Sequence, residues 1–244
     1  MALTPAYERH TLLHIDLPGR ERIFTEIAEK GYDAKAVGEM LLPERFPNEE
    51  GIASAIPGIA RREEFSPRDG FIPVGFASWR SSENGRLRIG SFAAPAEIVT
   101  AVTPEEVAAK MAVRSESFVA RTPALAALGS LRGQWGDRPL RLGVWGSAAM
   151  EIETGHAYTH RWSDLDVRLL PGGPVVKDEL DLCLGMILEA ETIHGIRIDA
   201  ELRVTGEYGI SLKELLGNGV TVLGKGRTDV ALLQKTEVFA GLAG

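Results

Sequence analysis

Residues 139–170 read PLRLGVWGSAAMEIETGHAYTHRWSDLDVRLL, and the fold is decided there. PLRLGVWG (139–146) is an apolar strand that runs into Gly146-Ser147. SAAMEIETG (147–155) is a short helix stopped by Gly155, because glycine tolerates the left-handed backbone that ends helices. SDLDVRLL (163–170) is a second strand, followed by the loop PGGP (171–174). Beyond it, residues 178–195 form an amphipathic helix, with Leu180, Leu184, Ile187, Leu188 and Glu191 marking the face expected to turn inward. IRIDAELRV (196–204) alternates with strand period, SLKELLGNG (211–219) is a helix ended by glycine, and residues 220–234 form a closing hairpin. Strand, helix, strand, helix, strand is the order of an α/β or α+β domain.

Residues 1–100 are mixed and turn-rich. LLHIDL (12–17) predicts a strand and ERIFTEIAEKG (21–31) a short helix. FIPVGFASW (71–79) and RLRIGSFA (86–93) predict a hairpin around the Asn84-Gly85 pair. A new segment opens at AVTPEEVAAKM, where Thr103, Pro104 and Glu106 make a capping-box arrangement, and Thr122-Pro123 opens a further helix in the same way. The expected architecture is α+β with two lobes, 1–100 and 101–244.

Three features of the second lobe carry chemistry. Gly146-Ser147 lies where a strand becomes a helix, so backbone N–H groups and the positive end of the helix dipole face whatever binds there, which favours an anion such as phosphate. The same pair alone is more often a turn and a cap. Asp164 and Asp166 alternate in a strand, which puts both carboxylates on one face about 7 Å apart at the Cα level. There they repel and raise each other's pKa unless a cation lies between them, and hard cations such as Mg²⁺ take such oxygens along with substrate phosphates. Asp199 lies on the charged face of IRIDAEL with Arg197, Glu201 and Arg203. Alone it reads as part of a solvated face, and beside the other two features as a third ligand or a general base.

The order of these pieces resembles the DNA polymerase β-type nucleotidyltransferase superfamily: Gly146-Ser147, then Asp164 and Asp166, then Asp199, with 17 residues from Ser147 to Asp164. More closely, VWGSAAMEIETGHAYTHRWSDLDVRLL resembles the phosphoribosyl-dephospho-CoA transferases, the holo-acyl-carrier-protein synthases of malonate decarboxylase. Gly146-Ser147, Thr154-Gly155 and Ser163 to Asp166 carry the likeness, and RHTLLHI, IPVGF, VTPEEVA and ISLKELLGNG add looser matches in order. The resemblance implies that the C-terminal lobe is a nucleotidyltransferase-type mixed sheet flanked by helices. It implies transfer from 2′-(5″-triphosphoribosyl)-3′-dephospho-CoA to a serine of the acyl carrier protein subunit, with release of diphosphate. It also implies Mg²⁺, or Mn²⁺ in its place, on Asp164, Asp166 and Asp199, which are then the catalytic residues too. Gly146 and Ser147 would hold the leaving diphosphate, and the first lobe would recognise substrate or carrier protein. Two other readings stay open: adenylylation of a small molecule or protein, and a non-catalytic carrier-protein-binding module.

Composition bounds these readings. The chain has 244 residues, 44% apolar and 25% charged, ordinary for a globular protein and unlike a disordered or coiled-coil chain. Its net charge of −7 argues against nucleic acid and anionic membranes as partners. An enzyme this acidic needs metal and arginines to hold a triphosphate. Residues 107–149 oppose the overall charge, with Lys110, Arg114, Arg121, Arg132, Arg138 and Arg141 against two acids; they read first as ordinary solvated helix faces, and otherwise as the place to look for a docking surface or for contacts to substrate phosphates. The single cysteine, Cys183, excludes an intramolecular disulfide and a Cys-rich zinc site, and reads as a small core residue. With no signal-type apolar segment and no run of about 20 apolar residues, the expected compartment is the cytoplasm. His156 and His160 are expected in a loop facing substrate rather than as zinc ligands.

Overall fold

The computed structural model describes residues 7–51, 54–62, 68–83, 85–204 and 208–244, and the chain divides between Thr103 and Pro104 into two units. In the first unit β1 (Leu12–Ile15) leads into α1 (Leu17–Ala28) and α2 (Ala34–Leu41), followed by β2 (Gly58–Ala60), β3 (Ile72–Ser82), β4 (Gly85–Ala93) and β5 (Ile98–Val102). Among the described residues these strands form one antiparallel sheet in the order β4-β3-β2-β1-β5. The expected helix at 21–31 begins four residues earlier. Asp16 caps it by accepting the Gly19 N–H at 2.8 Å, and Pro18 fits the first turn, where its missing N–H costs nothing. The 71–93 hairpin forms with Ser82 opposite Gly85, while Asn84 lies outside the described residues. The first unit runs past residue 100 because β5 pairs with β1 and completes the sheet.

The second unit contains α3 (Pro104–Lys110), α4 (Glu116–Val119), α5 (Pro123–Trp135), β6 (Leu140–Trp145), α6 (Gly146–Thr154), β7 (Leu165–Pro171), α7 (Lys177–His194) and β8 (Ile198–Arg203). It closes with β9 (Gly209–Ser211), α8 (Leu212–Leu216), β10 (Thr221–Lys225), β11 (Val230–Gln234) and α9 (Lys235–Ala243). The described strands form a mixed sheet in the order β11-β10-β9-β8-β7-β6, in which β7 and β8 are parallel and the other pairs antiparallel. A parallel pair needs a crossover, and α7 supplies it. This is the two-lobe α+β architecture with a mixed sheet expected from the sequence.

Alternation gives the sheet its two faces. Leu142, Val144, Leu165, Val167, Leu169, Ile198, Ala200 and Leu202 are buried on one face and form the core. The inward side of α7 is Leu180, Cys183, Met186, Ile187 and Ala190, whereas Leu188 is exposed. The expected face was therefore rotated. Glu191 is not part of it. Its carboxylate leaves α7 to accept the Ile198 N–H at 2.6 Å and Lys213 Nζ at 2.5 Å, tying α7 to β8 and α8. Cys183 is buried as expected, and burial pushes its thiol up to about 12.

On the opposite face Arg168 is almost fully buried in β7 and makes a forked pair with Glu105 of α3, at 2.8 Å and 2.5 Å. A charge buried so deeply is tolerable only with this bidentate partner. Gly143 lies opposite Arg168 on β6. A Cβ there would stand 2.7 Å from Glu105 Oε1, so glycine is what lets the start of α3 approach. Among the described residues no helix is long and apolar enough to cross a membrane.

Candidate active site

The strand register gathers the expected site residues at one end of the mixed sheet. Trp145 on β6 lies opposite Asp166 on β7, and Asp166 lies opposite Asp199 on β8. Directly after Trp145 the chain turns through Gly146 and Ser147 into α6. Gly146 has φ +68°, and a Cβ built on it would stand 2.4 Å from Asp166 Oδ2. Glycine is therefore required twice, for the left-handed backbone and for the space the carboxylate occupies. Trp145 precedes α6 as its cap residue and makes no side-chain capping hydrogen bond.

Asp164 differs from expectation. β7 begins at Leu165, so Asp164 sits in the approach to the strand and not within it. The strand starts where the Leu165 N–H donates across to the Arg197 carbonyl just ahead of β8, at 3.0 Å. Arg197 then joins the acids. Its guanidinium donates to both oxygens of Asp199, with Nε–Oδ1 at 3.0 Å, and lies 3.9 Å from Asp164 Oδ2. Asp164 and Asp199 are half exposed, at 51% and 44%. Asp166 is deeper. Burial first, then the charges of Asp199 and Asp164, push its carboxyl up to about 6, against a smaller opposing pull from Arg197.

Such a set of oxygen donors suits a hard divalent cation, which would relieve the repulsion concentrated on Asp166. As they stand, no group of three or more His, Cys, Asp or Glu among the described residues is drawn together as a metal site.

The segment between α6 and β7 is not the substrate-facing loop expected around both histidines. His156, Tyr158 and Thr159 are buried, and His160 alone of the two histidines is exposed. The cause is Glu151, a buried residue of α6. It accepts the Thr159 N–H at 2.7 Å and the Thr159 hydroxyl at 2.8 Å, and pairs with Arg121, which also donates to Thr159 Oγ1 at 2.9 Å. Sequence reasoning missed this network. Its signal was an acid in the middle of the apolar run AAMEI, where an unpaired charge could not stay. After Thr159 the chain makes a tight turn at 160–163. Ser163 N–H donates to the His160 carbonyl at 3.0 Å, and the His160 N–H donates to Ser163 Oγ at 3.0 Å.

The basic stretch 107–149 is largely spent internally. Lys110 pairs with Glu153 at 2.6 Å, Arg138 with Glu179 at 3.1 Å and Arg121 with Glu151, while Arg114 donates to the Ile152 carbonyl at the end of α6. Three of its six cations thus brace α6, and a fourth is held on α7.

Comparison with known proteins adds to this geometry. Residues 109–236 match the family model described as phosphoribosyl-dephospho-CoA transferase MdcG C-terminal domain, a span that holds Gly146, Ser147, Asp164, Asp166 and Asp199. Proteins named phosphoribosyl-dephospho-CoA transferase are similar over most of the chain. The one from Xanthomonas axonopodis pv. citri is 29% identical over 78% of this chain and 84% of its own length. That from Xanthomonas euvesicatoria pv. vesicatoria is 30% identical over 77% and 83%. No solved structure matches the chain significantly.

Proposed function

The chain belongs to the phosphoribosyl-dephospho-CoA transferase MdcG family, and on that premise we propose that it transfers the phosphoribosyl-dephospho-CoA group from 2′-(5″-triphosphoribosyl)-3′-dephospho-CoA to a serine of the acyl carrier protein of malonate decarboxylase. The serine oxygen bonds to the α-phosphorus, the bond from that phosphorus to the bridging oxygen breaks, and diphosphate leaves. The observation that supports this most is the row formed by Asp166 and Asp199 in direct parallel register, with the Gly146 backbone packed against Asp166.

The proposal gives each residue a role. Asp164, Asp166 and Asp199 would hold Mg²⁺ or Mn²⁺, which when bound neutralises triphosphate charge and stabilises the attacking and leaving oxygens. Asp199, the more accessible member of the register pair, takes the serine hydroxyl proton on an oxygen that Arg197 gives up when its guanidinium turns to the triphosphate. The first N–H groups of α6 and the Ser147 hydroxyl hold the departing diphosphate at the positive end of the helix. Arg197 is within reach of the same carboxylates and supplies the cationic charge that an acidic protein must place locally to keep a triphosphate. Phosphoryl transfer of this kind is mainly positioning and electrostatics, and fixed strand ends provide both.

The test measures diphosphate release with Mg²⁺ and either the triphosphoribosyl donor or ATP, each with and without the carrier protein. Release that requires both the triphosphoribosyl donor and the carrier protein is expected. Release from ATP with none from the CoA derivative would overturn the proposal in favour of adenylylation.

A further inference from the structure

Trp162 is 77% exposed at one edge of the site, while Trp79 and Trp135 are buried with their indole N–H groups on Glu50 and on the Leu140 carbonyl. Exposing an indole forfeits one of the largest burial gains available to a side chain. The backbone that carries it is nonetheless tied down. Arg161 and Trp162 form the tip of the 160–163 turn, whose ends are bonded to each other, and the backbone N–H of Trp162 donates to His160 Nδ1 at 3.1 Å. Thr159, directly before the turn, is anchored in the core by Glu151. Directly after the turn comes Asp164, two residues from Trp162, so their Cα atoms are at most about 7 Å apart. The Arg161 guanidinium lies 4.6 Å from the centre of the Trp162 ring, a cation–π contact that covers one face and helps hold the ring in place.

We propose that Trp162, backed by Arg161, is the platform on which the adenine ring of the dephospho-CoA donor stacks. This rests on the function proposed above and goes beyond it by assigning the residue that selects the adenosine end of the substrate. A purine and an indole stack through their π faces, and an exposed ring carried on a tied turn, with Arg161 against one face, loses less freedom on binding than one on a loose loop. Two linked riboses separate the adenine from the reacting phosphorus. The base must therefore lie beside the carboxylates and not among them, which is where the turn stands. Trp162 touches the base and not the reacting atoms, so it sets substrate affinity and leaves the acidic machinery intact.

The test is calorimetric titration of the wild type, Trp162→Ala and Trp162→Phe with dephospho-CoA, and with pantetheine 4′-phosphate, which lacks the adenosine. Trp162→Ala is expected to weaken dephospho-CoA binding about tenfold or more. Trp162→Phe should stay within about threefold, because an aromatic face remains, and pantetheine 4′-phosphate should not distinguish the three proteins. Equal melting temperatures exclude a folding defect. Wild-type affinity for dephospho-CoA in Trp162→Ala, with transfer intact, would overturn the platform and leave the proposed function standing. So would a variant whose only defect is a higher KM for the carrier protein, because Trp162 would then be an anchor for that partner. A wild type that neither binds dephospho-CoA nor transfers would remove the proposed function, and the platform with it.

Discussion

Replacing Asp166 by asparagine should stabilise the protein while destroying its activity. The carboxyl is pushed from an ordinary 3.8 up to about 6 by burial and by Asp199 and Asp164. A folded-state pKa raised by about two units corresponds to about 3 kcal/mol between the two protonation states. The protonated form is the one the fold prefers. This contribution is therefore fully present below about pH 4, declines as pH rises through 6, and is absent above it. An asparagine at this position keeps the shape and never carries the charge. In EDTA, the melting temperatures of wild type and Asp166→Asn should coincide near pH 4 and separate at pH 7.5, with the variant higher by several degrees. Added Mg²⁺ should raise the wild-type melting temperature and leave the variant unmoved, because the variant lacks the deepest of the three proposed ligands. Parallel curves for the two proteins from pH 4 to 8 would refute the claim that Asp166 is strained by its neighbours.

Other perturbations probe the supports of the site. Gly146→Ala places a Cβ 2.4 Å from Asp166 Oδ2 in a left-handed backbone. It should cost about 1–2 kcal/mol from the backbone alone and cut transfer sharply in a steady-state assay, whereas Gly155→Ala, where a Cβ meets nothing within 4 Å, should cost only stability. Glu151→Ala removes the acceptor shared by Thr159 and Arg121 and should lower stability by about 3 kcal/mol in urea unfolding, with faster proteolytic cleavage within residues 155–163. Cys183, pushed up to about 12, should resist iodoacetamide at pH 8 in the folded protein and react promptly in denaturant. Rapid native alkylation would contradict its burial.

Local chemistry made the second unit readable. An apolar strand running into Gly146-Ser147, a helix stopped by Gly155 and the closing hairpin are all short-range patterns, and each is present. Where long-range contacts decide, the reading drifted. Asp164 falls outside β7 because the strand's first hydrogen bond goes to Arg197, more than thirty residues away. His156 turned inward because Glu151 and Arg121 fold the segment after α6 into the core. The inward face of α7 excludes Leu188, and Glu191 is held at its margin by Lys213 and the Ile198 N–H. The basic stretch 107–149 reads from composition as solvated helix faces or a place for docking or phosphate contacts, and pairing with Glu151, Glu153 and Glu179 uses half of its cations. For the site itself, period-2 alternation could place Asp166 and Asp199 on strand faces, but only the parallel register through α7 sets them opposite each other.

The most direct test is the intact mass of the malonate decarboxylase carrier protein after incubation with Mg²⁺, the triphosphoribosyl donor and this protein. With wild type the carrier protein should gain the mass of one phosphoribosyl-dephospho-CoA group, on a serine, and with Asp166→Asn none. An unmodified carrier protein with the wild type, or the same gain with Asp166→Asn, would contradict the proposed function.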